Sequence, residues 1–252
     1  MGAEEVIRLS VDLFDRGDVE EAEELVRAGL ERFPEDGDLW QMGGLLRHGR
    51  GDFGGAREAL ETAGVLVPLD STAQCALAEC YARTGKPELA RCVYRHLAAQ
   101  CHCPTALLPR VAAGLGGLGE DRLALEACRE FSRRDPEAPE AFVGMAFYMR
   151  RLGKPVEAII PVAVRAHELA PRVTTYRILL ATLLAHGGRL GEASDLLCEV
   201  APDSVGCQGC LRRMMAIFHR AGDHARAAAC DRHRRCGGDD RRCGPPGEDR
   251  EC

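Results

Sequence analysis

The sequence predicts an all-α protein, an α–α superhelix (solenoid) of about seven stacked helical hairpins. Three observations predict it: glycine recurs along the chain, an alanine follows each glycine by five residues, and successive glycines lie 34 residues apart in every case but one, where the interval is 35. The glycines are Gly17, Gly51, Gly85, Gly119, Gly153, Gly188 and Gly222, and the alanines are Ala22, Ala56, Ala90, Ala124, Ala158, Ala193 and Ala227. A fixed period of this size is typical of stacked helical hairpins, because each hairpin buries its apolar face only against a neighbour.

The period divides residues 1–237 into seven predicted repeats, near 3–36, 37–70, 71–104, 105–138, 139–173, 174–207 and 208–237. In each repeat the glycine is expected to adopt the backbone conformation that ends the first helix and opens a tight turn. Small residues on both helices then allow the two helices to approach closely. Residues 238–252 are rich in glycine, proline and charge without any periodicity, and we expect this tail to be disordered.

Prolines mark the ends of the second helices in order along the chain. Pro34, Pro68 and Pro136 follow the second helices of the first, second and fourth repeats, where a residue without an N–H stops a helix. Pro87 and Pro155 come just after the turn glycines of the third and fifth repeats. We expect them near the first position of the second helix, where a missing N–H costs little.

The later repeats depart from the pattern at particular positions. We place the extra residue of the 35-residue interval in the second helix of the fifth repeat, where Pro161 is expected to kink that helix. Arg177 stands where most other repeats have a large apolar residue, and Met215 stands where the other repeats have a small one. The last predicted helix, residues 225–236, is polar enough to cover the end of the array.

The pattern resembles the tetratricopeptide repeat over about residues 3–237. That family has a large residue at position 4 of the repeat, small residues at positions 8 and 20, and an aromatic residue near position 11. With each glycine placed at position 15, Trp40 and Phe142 fall at position 4, Ala78 at position 8, and Tyr81 and Phe218 at position 11. The resemblance implies a fold of paired helices, and it carries little information about function.

Composition favours some classes of protein over others. The formal net charge is −6 at pH 7, which gives no indication of nucleic-acid binding. No run of about 18 apolar residues is present, and the first residues lack the features of a signal peptide, so the expected location is the cytoplasm, with no membrane partner. We interpret most of the 13 cysteines as small apolar residues inside helices, because disulfide frameworks belong to short secreted chains.

In the tetratricopeptide family the first helices line a concave groove, mainly through positions 2, 5, 9 and 12. The resemblance therefore implies a partner-binding groove formed by Ile7, Val11, Phe14, Gln41, Leu45, His48, Cys75, Glu79, Val143, Phe147, Arg150, Ile178, Thr182, Arg212 and His219. Apolar side chains left on such a groove would attract an amphipathic helix or an apolar peptide. The alternative is that some of these side chains turn inward and pack the hairpins.

One known ligand class of the family is disfavoured. Some tetratricopeptide proteins hold the C-terminal carboxylates of heat-shock chaperones with lysine, asparagine and arginine at fixed positions of three repeats. Here the first three repeats have Ile7, Val11, Met42, Thr72 and Ala76 at those positions. The chaperone-tail carboxylate clamp is therefore absent, since no fixed cation meets a carboxylate.

A cluster of cysteine and histidine is expected at the end of the array. Cys207 and Cys210 begin the seventh repeat, and His233 and Cys236 end its second helix. Because the helices of a hairpin are antiparallel, these four side chains should come close together and could form a zinc site or a regulatory dithiol. The spacing is not that of a standard zinc module, so ordinary thiols without a metal are the favoured interpretation, and no cofactor is expected.

Together these observations favour a non-catalytic protein–protein interaction scaffold that binds a partner peptide or helix in its concave groove. Two other classes stay open: a metal- or redox-responsive module that uses the C-terminal cysteine and histidine cluster, and an accessory subunit of an enzyme complex. Catalysis by the chain itself is not expected, because no acid and base groups converge on a pocket.

Overall fold

The chain is built of successive α-helices joined by short turns. The computed structural model describes residues 1–100 and 102–236, and within these ranges there are 14 α-helices and no β-strand. Gly237 and the tail predicted for residues 238–252 lie outside the described residues. None of the described helices is long and apolar enough to cross a membrane.

The helices form hairpins in sequence order, which confirms the predicted all-α fold of helical-hairpin repeats. Their bounds are α1 Ala3–Arg16, α2 Val19–Arg32, α3 Gly37–Gly49, α4 Phe53–Leu66, α5 Ser71–Arg83, α6 Pro87–Ala99, α7 Leu108–Gly117, α8 Asp121–Arg134, α9 Pro139–Arg151, α10 Val156–Leu169, α11 Thr174–His186, α12 Leu190–Leu197, α13 Gln208–Arg220 and α14 His224–Cys236. Two short 3₁₀ helices, Thr105–Leu107 and Pro202–Ser204, precede α7 and α13.

The seven periodic glycines are the turn residues of the hairpins. Each has a positive φ, between +66° and +89°, and no other residue of the described ranges does. A side chain in this left-handed region is strained, so glycine is favoured there. The first of them, Gly17, ends α1 and donates its N–H to the carbonyl groups of Leu13 and Phe14, as expected for a helix C-cap.

Contacts within the chain divide it into two compact units. The first unit comprises Met1–Leu107 with Gly117–Gly119, and the second comprises Leu108–Gly116 with the chain from Glu120 onward. The first unit contains α1 to α6, and the second contains α8 to α14 and nearly all of α7.

The core of the first unit lies between successive hairpins. One cluster joins Ala22 and Val26 of α2 to Leu46 of α3. A second cluster joins Leu60 of α4 to residues of α5 that include Ala73. Each hairpin therefore buries its apolar face against the next one, which is the physical basis of a repeat array.

In the second unit, arginines at equivalent repeat positions link the first helix of a hairpin to the first helix of the preceding hairpin. Arg151 donates from its guanidinium group to the carbonyl oxygen of Gly116 at 3.1 Å, and Arg220 donates to the carbonyl oxygen of Ala185 at 3.2 Å. Both arginines lie two residues before a turn glycine. These hydrogen bonds occupy carbonyl groups near the C-terminal ends of α7 and α11, where the helix itself supplies no donor.

The extra residue of the fifth repeat lies in the turn and not in the second helix, which corrects the expectation from the sequence. The second helix of that repeat, α10, has 14 residues, like α8, but it begins three residues after Gly153 where α8 begins two residues after Gly119. Pro155 is the N-cap of α10, with φ −54° and ψ 140°, and does not occupy the first helical position predicted for it, whereas Pro87 does occupy that position in α6.

The shift changes which residues of α10 face the interior. Ala158 is exposed, although the other six periodic alanines are fully buried. Ile159, Ala163 and Ala166 are buried instead, each one residue later than the corresponding position of the other hairpins. Pro161 lies within α10, which continues to Leu169.

Candidate partner-binding groove

Three of the predicted groove residues come together in the first unit. Ile7 of α1 and Gln41 and Leu45 of α3 line one open cavity of about 450 Å³. All three are partly exposed. The cavity therefore has an apolar floor that a partner can reach, and its volume lies in the range of ligand pockets.

Hydrogen bonds fix one wall of this cavity. The Gln41 amide donates to a carboxylate oxygen of Asp70 at 2.9 Å, and the Asp70 backbone N–H donates to the Gln41 carbonyl oxygen at 3.2 Å. Asp70 also accepts from the N–H of Ala73 at 2.8 Å and so caps α5. The start of α5 is thereby held against α3, and the wall is formed before any partner binds.

An apolar stripe continues from the cavity along α1. Val11 and Phe14 follow Ile7 by four and seven residues, so they lie on the same side of the helix. Val11 is 39% exposed and Phe14 is 43% exposed. Large apolar side chains exposed in succession on one helix face indicate an interaction surface.

His48 and Glu79 form the far part of the predicted groove in this unit. The His48 Nε2 atom lies 3.0 Å from a carboxylate oxygen of Glu79, and the His48 ring packs edge-on against Phe53 at 5.7 Å. The Arg83 guanidinium lies over the same Phe53 ring at 4.6 Å. The hydrogen bond and the ring contacts join α3 to α4 and α5.

Three of the predicted groove residues are buried, which corrects the sequence-based assignment. Cys75 and Ile178 have almost no exposed surface, and Thr182 is also buried. The Thr182 hydroxyl donates to the carbonyl oxygen of Ile178 one turn earlier in α11, at 2.7 Å. These positions pack inside the hairpins, as the alternative interpretation of the sequence allowed, so a partner does not reach them.

The predicted groove residues of the second unit that are not buried lie on α9 and α13. Val143 and Phe147 are partly exposed, and Arg150, Arg212 and His219 are exposed. The Phe147 ring packs edge-on against Tyr148 at 5.1 Å.

Charged residues at the rim of the cavity are missing from the sequence-based set. Glu4, Arg8, Asp38 and Asp70 line the same cavity as Ile7. Glu4 and Asp38 stand at position 2 of their repeats, one of the positions that the family resemblance assigns to the groove. That position was the signal from which they could have been identified.

The predicted cysteine and histidine cluster is only partly within the described residues. Cys207 caps α13, and its sulfur accepts from the Cys210 N–H at 3.4 Å. The start of α13 does lie beside the end of α14, because the Gln208 amide donates to the Arg234 carbonyl oxygen at 3.2 Å. Among the described side chains, no group of three or more histidine, cysteine, aspartate and glutamate residues could hold a metal ion; the side chain of Cys236 is outside that set.

Burial raises the pKa of two thiols. Removal from water raises the pKa of Cys128 to about 12, and burial together with the charge of Glu79 raises the pKa of Cys80 to about 12. The thiolate is the reactive form, so we expect iodoacetamide at pH 8–9 to label the exposed Cys92 and Cys198 in the folded protein but neither of the two buried thiols, as measured by peptide mass spectrometry.

The same pKa values predict how stability depends on pH. The unfolded chain releases both protons near pH 9, while the folded chain keeps them until about pH 12. This contribution to the free energy of unfolding is therefore complete below pH 9 and decreases between pH 9 and 12.

Labelling of Cys128 at the rate of Cys92 in the folded protein would contradict the assignment of Cys128 as a buried thiol with a raised pKa.

Comparison with known protein families finds one kind of match. A model of the tetratricopeptide repeat matches residues 7–63 and 42–101, and a second tetratricopeptide repeat model matches residues 175–197. No curated protein sequence matches the chain.

Several solved structures are similar in fold. The C-terminal part of a TPR repeat-containing protein from Cytophaga hutchinsonii has a TM-score of 0.71 at 14% identity, over 92% of this chain and 95% of that one. A tetratricopeptide repeat protein from Parabacteroides merdae has a TM-score of 0.66 at 19% identity, over 94% of this chain and 93% of that one. YrrB, a TPR protein with an unusual peptide-binding site, has a TM-score of 0.58 at 15% identity, over 73% of this chain and 90% of that one. At these identities the likeness concerns the fold.

Proposed function

Because this chain belongs to the tetratricopeptide repeat family, we propose that it is a non-catalytic scaffold that binds a peptide or helix of a partner protein in the groove of the first unit. The observation that carries the proposal is the combination of an apolar floor at Ile7 and Leu45, the exposed continuation at Val11 and Phe14, and a wall fixed by Gln41 and Asp70. The peptide-binding site of YrrB, a protein of the same fold, supports this use of the architecture by analogy.

The physical basis of binding is burial of the apolar stripe. Covering apolar surface yields roughly 25 cal/mol per Å² removed from water. The wall held by Gln41 and Asp70 also contributes, since a preformed site loses less conformational entropy when a partner binds.

The seven repeat bounds predicted from the sequence and a cytoplasmic location are part of the same proposal, and both rest on the sequence alone.

Replacing Val11 with glutamate tests the proposal. A carboxylate in the middle of an apolar contact must lose water without a partner, so we expect the affinity for the bound segment to fall at least about tenfold, which corresponds to about 1.4 kcal/mol. The measurement is affinity capture from the source cell, followed by calorimetric titration with the recovered binding segment.

The matched control is Val65→Glu. Val65 is on α4, is 86% exposed and does not line the groove, so this variant carries the same change of charge elsewhere in the same unit. Both variants should melt like the parent protein, because neither valine is buried. If Val11→Glu and Val65→Glu retain the same partners with the same affinity, the groove is not the binding surface.

A further inference from the structure

We propose that the groove of the first unit selects a basic amphipathic segment, in which lysine or arginine residues flank apolar anchors. This inference rests on the proposed function and names the chemical class of the partner. It follows from the charges at the rim of the cavity and the apolar side chains at its floor.

The rim of the cavity is acidic. Glu4, Asp38 and Asp70 contribute three carboxylates, and Arg8 contributes the one cation among the residues that line the cavity. The carboxylates lie near the N-terminal ends of α1, α3 and α5, so they form one side of the groove entrance.

Two of these carboxylates are available to a partner. Asp70 is engaged, because it accepts from Ala73 N–H and from the Gln41 amide. Glu4 and Asp38 are exposed, and within the described part of the chain neither forms an ion pair. The helix dipole places roughly half a positive charge at each helix N-terminus, which offsets only part of each carboxylate charge.

The apolar residues of the cavity select the apolar anchors of the partner segment. Ile7, Met42 and Leu45 line the same cavity as the carboxylates and are partly exposed, whereas Glu4 and Asp38 are exposed. A segment whose apolar side chains enter the cavity therefore brings its neighbouring residues beside Glu4 and Asp38. Lysine or arginine at those places gains a charge-assisted hydrogen bond, whereas an acidic residue meets like charge.

Three synthetic peptides test the inference. They share one 14-residue amphipathic pattern of leucine and alanine and carry lysine, glutamine or glutamate at every polar position, and their binding is measured by fluorescence anisotropy at low and high salt. We expect the lysine peptide to bind at least about tenfold more tightly than the glutamate peptide at low salt, with a difference that decreases as salt rises.

Charge reversal at the rim tests whether Glu4 and Asp38 cause the tighter binding of the lysine peptide. We expect the double variant Glu4→Lys with Asp38→Lys to weaken the lysine peptide about tenfold or more. The matched control for each single replacement is Glu58→Lys. The Glu58 side chain on α4 is 74% exposed and does not line the cavity. The single Asp38→Lys variant should weaken binding several-fold, and Glu58→Lys less than about twofold.

The possible outcomes separate this inference from the proposed function. Equal affinity for the lysine and glutamate peptides overturns the inference, and so does an equal effect of Asp38→Lys and Glu58→Lys, which would indicate attraction to the acidic surface as a whole. If Val11→Glu weakens the glutamine peptide while charge reversal at the rim changes nothing, the groove is confirmed and the basic specificity is wrong. If Val11→Glu changes the binding of none of the peptides, the groove proposal fails as well.

Discussion

Replacing Ala124 with glutamate will destabilise the protein strongly, whereas the same replacement at Ala158 will leave its stability almost unchanged. Both alanines follow a turn glycine by five residues and lie in the first turns of second helices, α8 and α10. Ala124 has no exposed surface, while Ala158 is exposed. A carboxylate at the first site must be buried without a partner, which costs several kcal/mol; at the second site it stays in water.

The measurement is urea unfolding of the two variants, followed by circular dichroism. Because both replacements put glutamate near the N-terminus of a helix, the effect of the helix dipole is shared and cancels in the comparison. We expect a loss of at least about 3 kcal/mol for Ala124→Glu and a change within about 0.5 kcal/mol for Ala158→Glu. Equal losses would show that the extra residue of the fifth repeat lies beyond Ala158 and not in the turn.

A single methyl group at Gly116 will also destabilise the second unit. A Cβ atom there would lie 2.4 Å from a ring carbon of Tyr148 and 2.5 Å from its hydroxyl oxygen. Tyr148 is buried, and its hydroxyl donates to the carbonyl oxygen of Ala112 at 2.9 Å. To accept the methyl group the ring must move and lose that hydrogen bond, so we expect Gly116→Ala to cost about 2–4 kcal/mol.

The next residue of the same helix supplies the control. A Cβ atom at Gly117 would meet nothing within 4 Å, so Gly117→Ala should be neutral or stabilise by up to about 1 kcal/mol through helix propensity. A double-mutant cycle with Tyr148→Ala completes the test: once the ring is removed, Gly116→Ala should cost little. If its cost persists in the absence of the ring, the close contact with Tyr148 is not the cause.

The candidate groove was predictable in part. Ile7, Gln41 and Leu45 were identified from their repeat positions and do line one cavity. Cys75 and Ile178 have equivalent positions in later repeats but are buried. Repeat position determines which side of a helix a residue occupies, but packing against neighbouring helices decides whether that side faces solvent.

The charged residues at the rim of the cavity were not included in the groove predicted from the sequence. Position 2 of the repeat is the sequence signal that Glu4 and Asp38 carry, but it does not distinguish them from other acidic residues near the starts of helices, where carboxylates are favoured by the dipole. The structure makes them candidate binding residues, because α1, α3 and the start of α5 place them around one cavity.

The sequence by itself determined the repeat and its backbone. The period of 34 residues predicted paired helices, and the glycine that opens each turn was correctly identified, because a left-handed turn residue is set by interactions within a few residues. Only the tertiary structure decided where the thirty-fifth residue lies. Ala158 matches the motif as well as Ala124 does, and burial, which distinguishes the two, is a property of packing between distant parts of the chain.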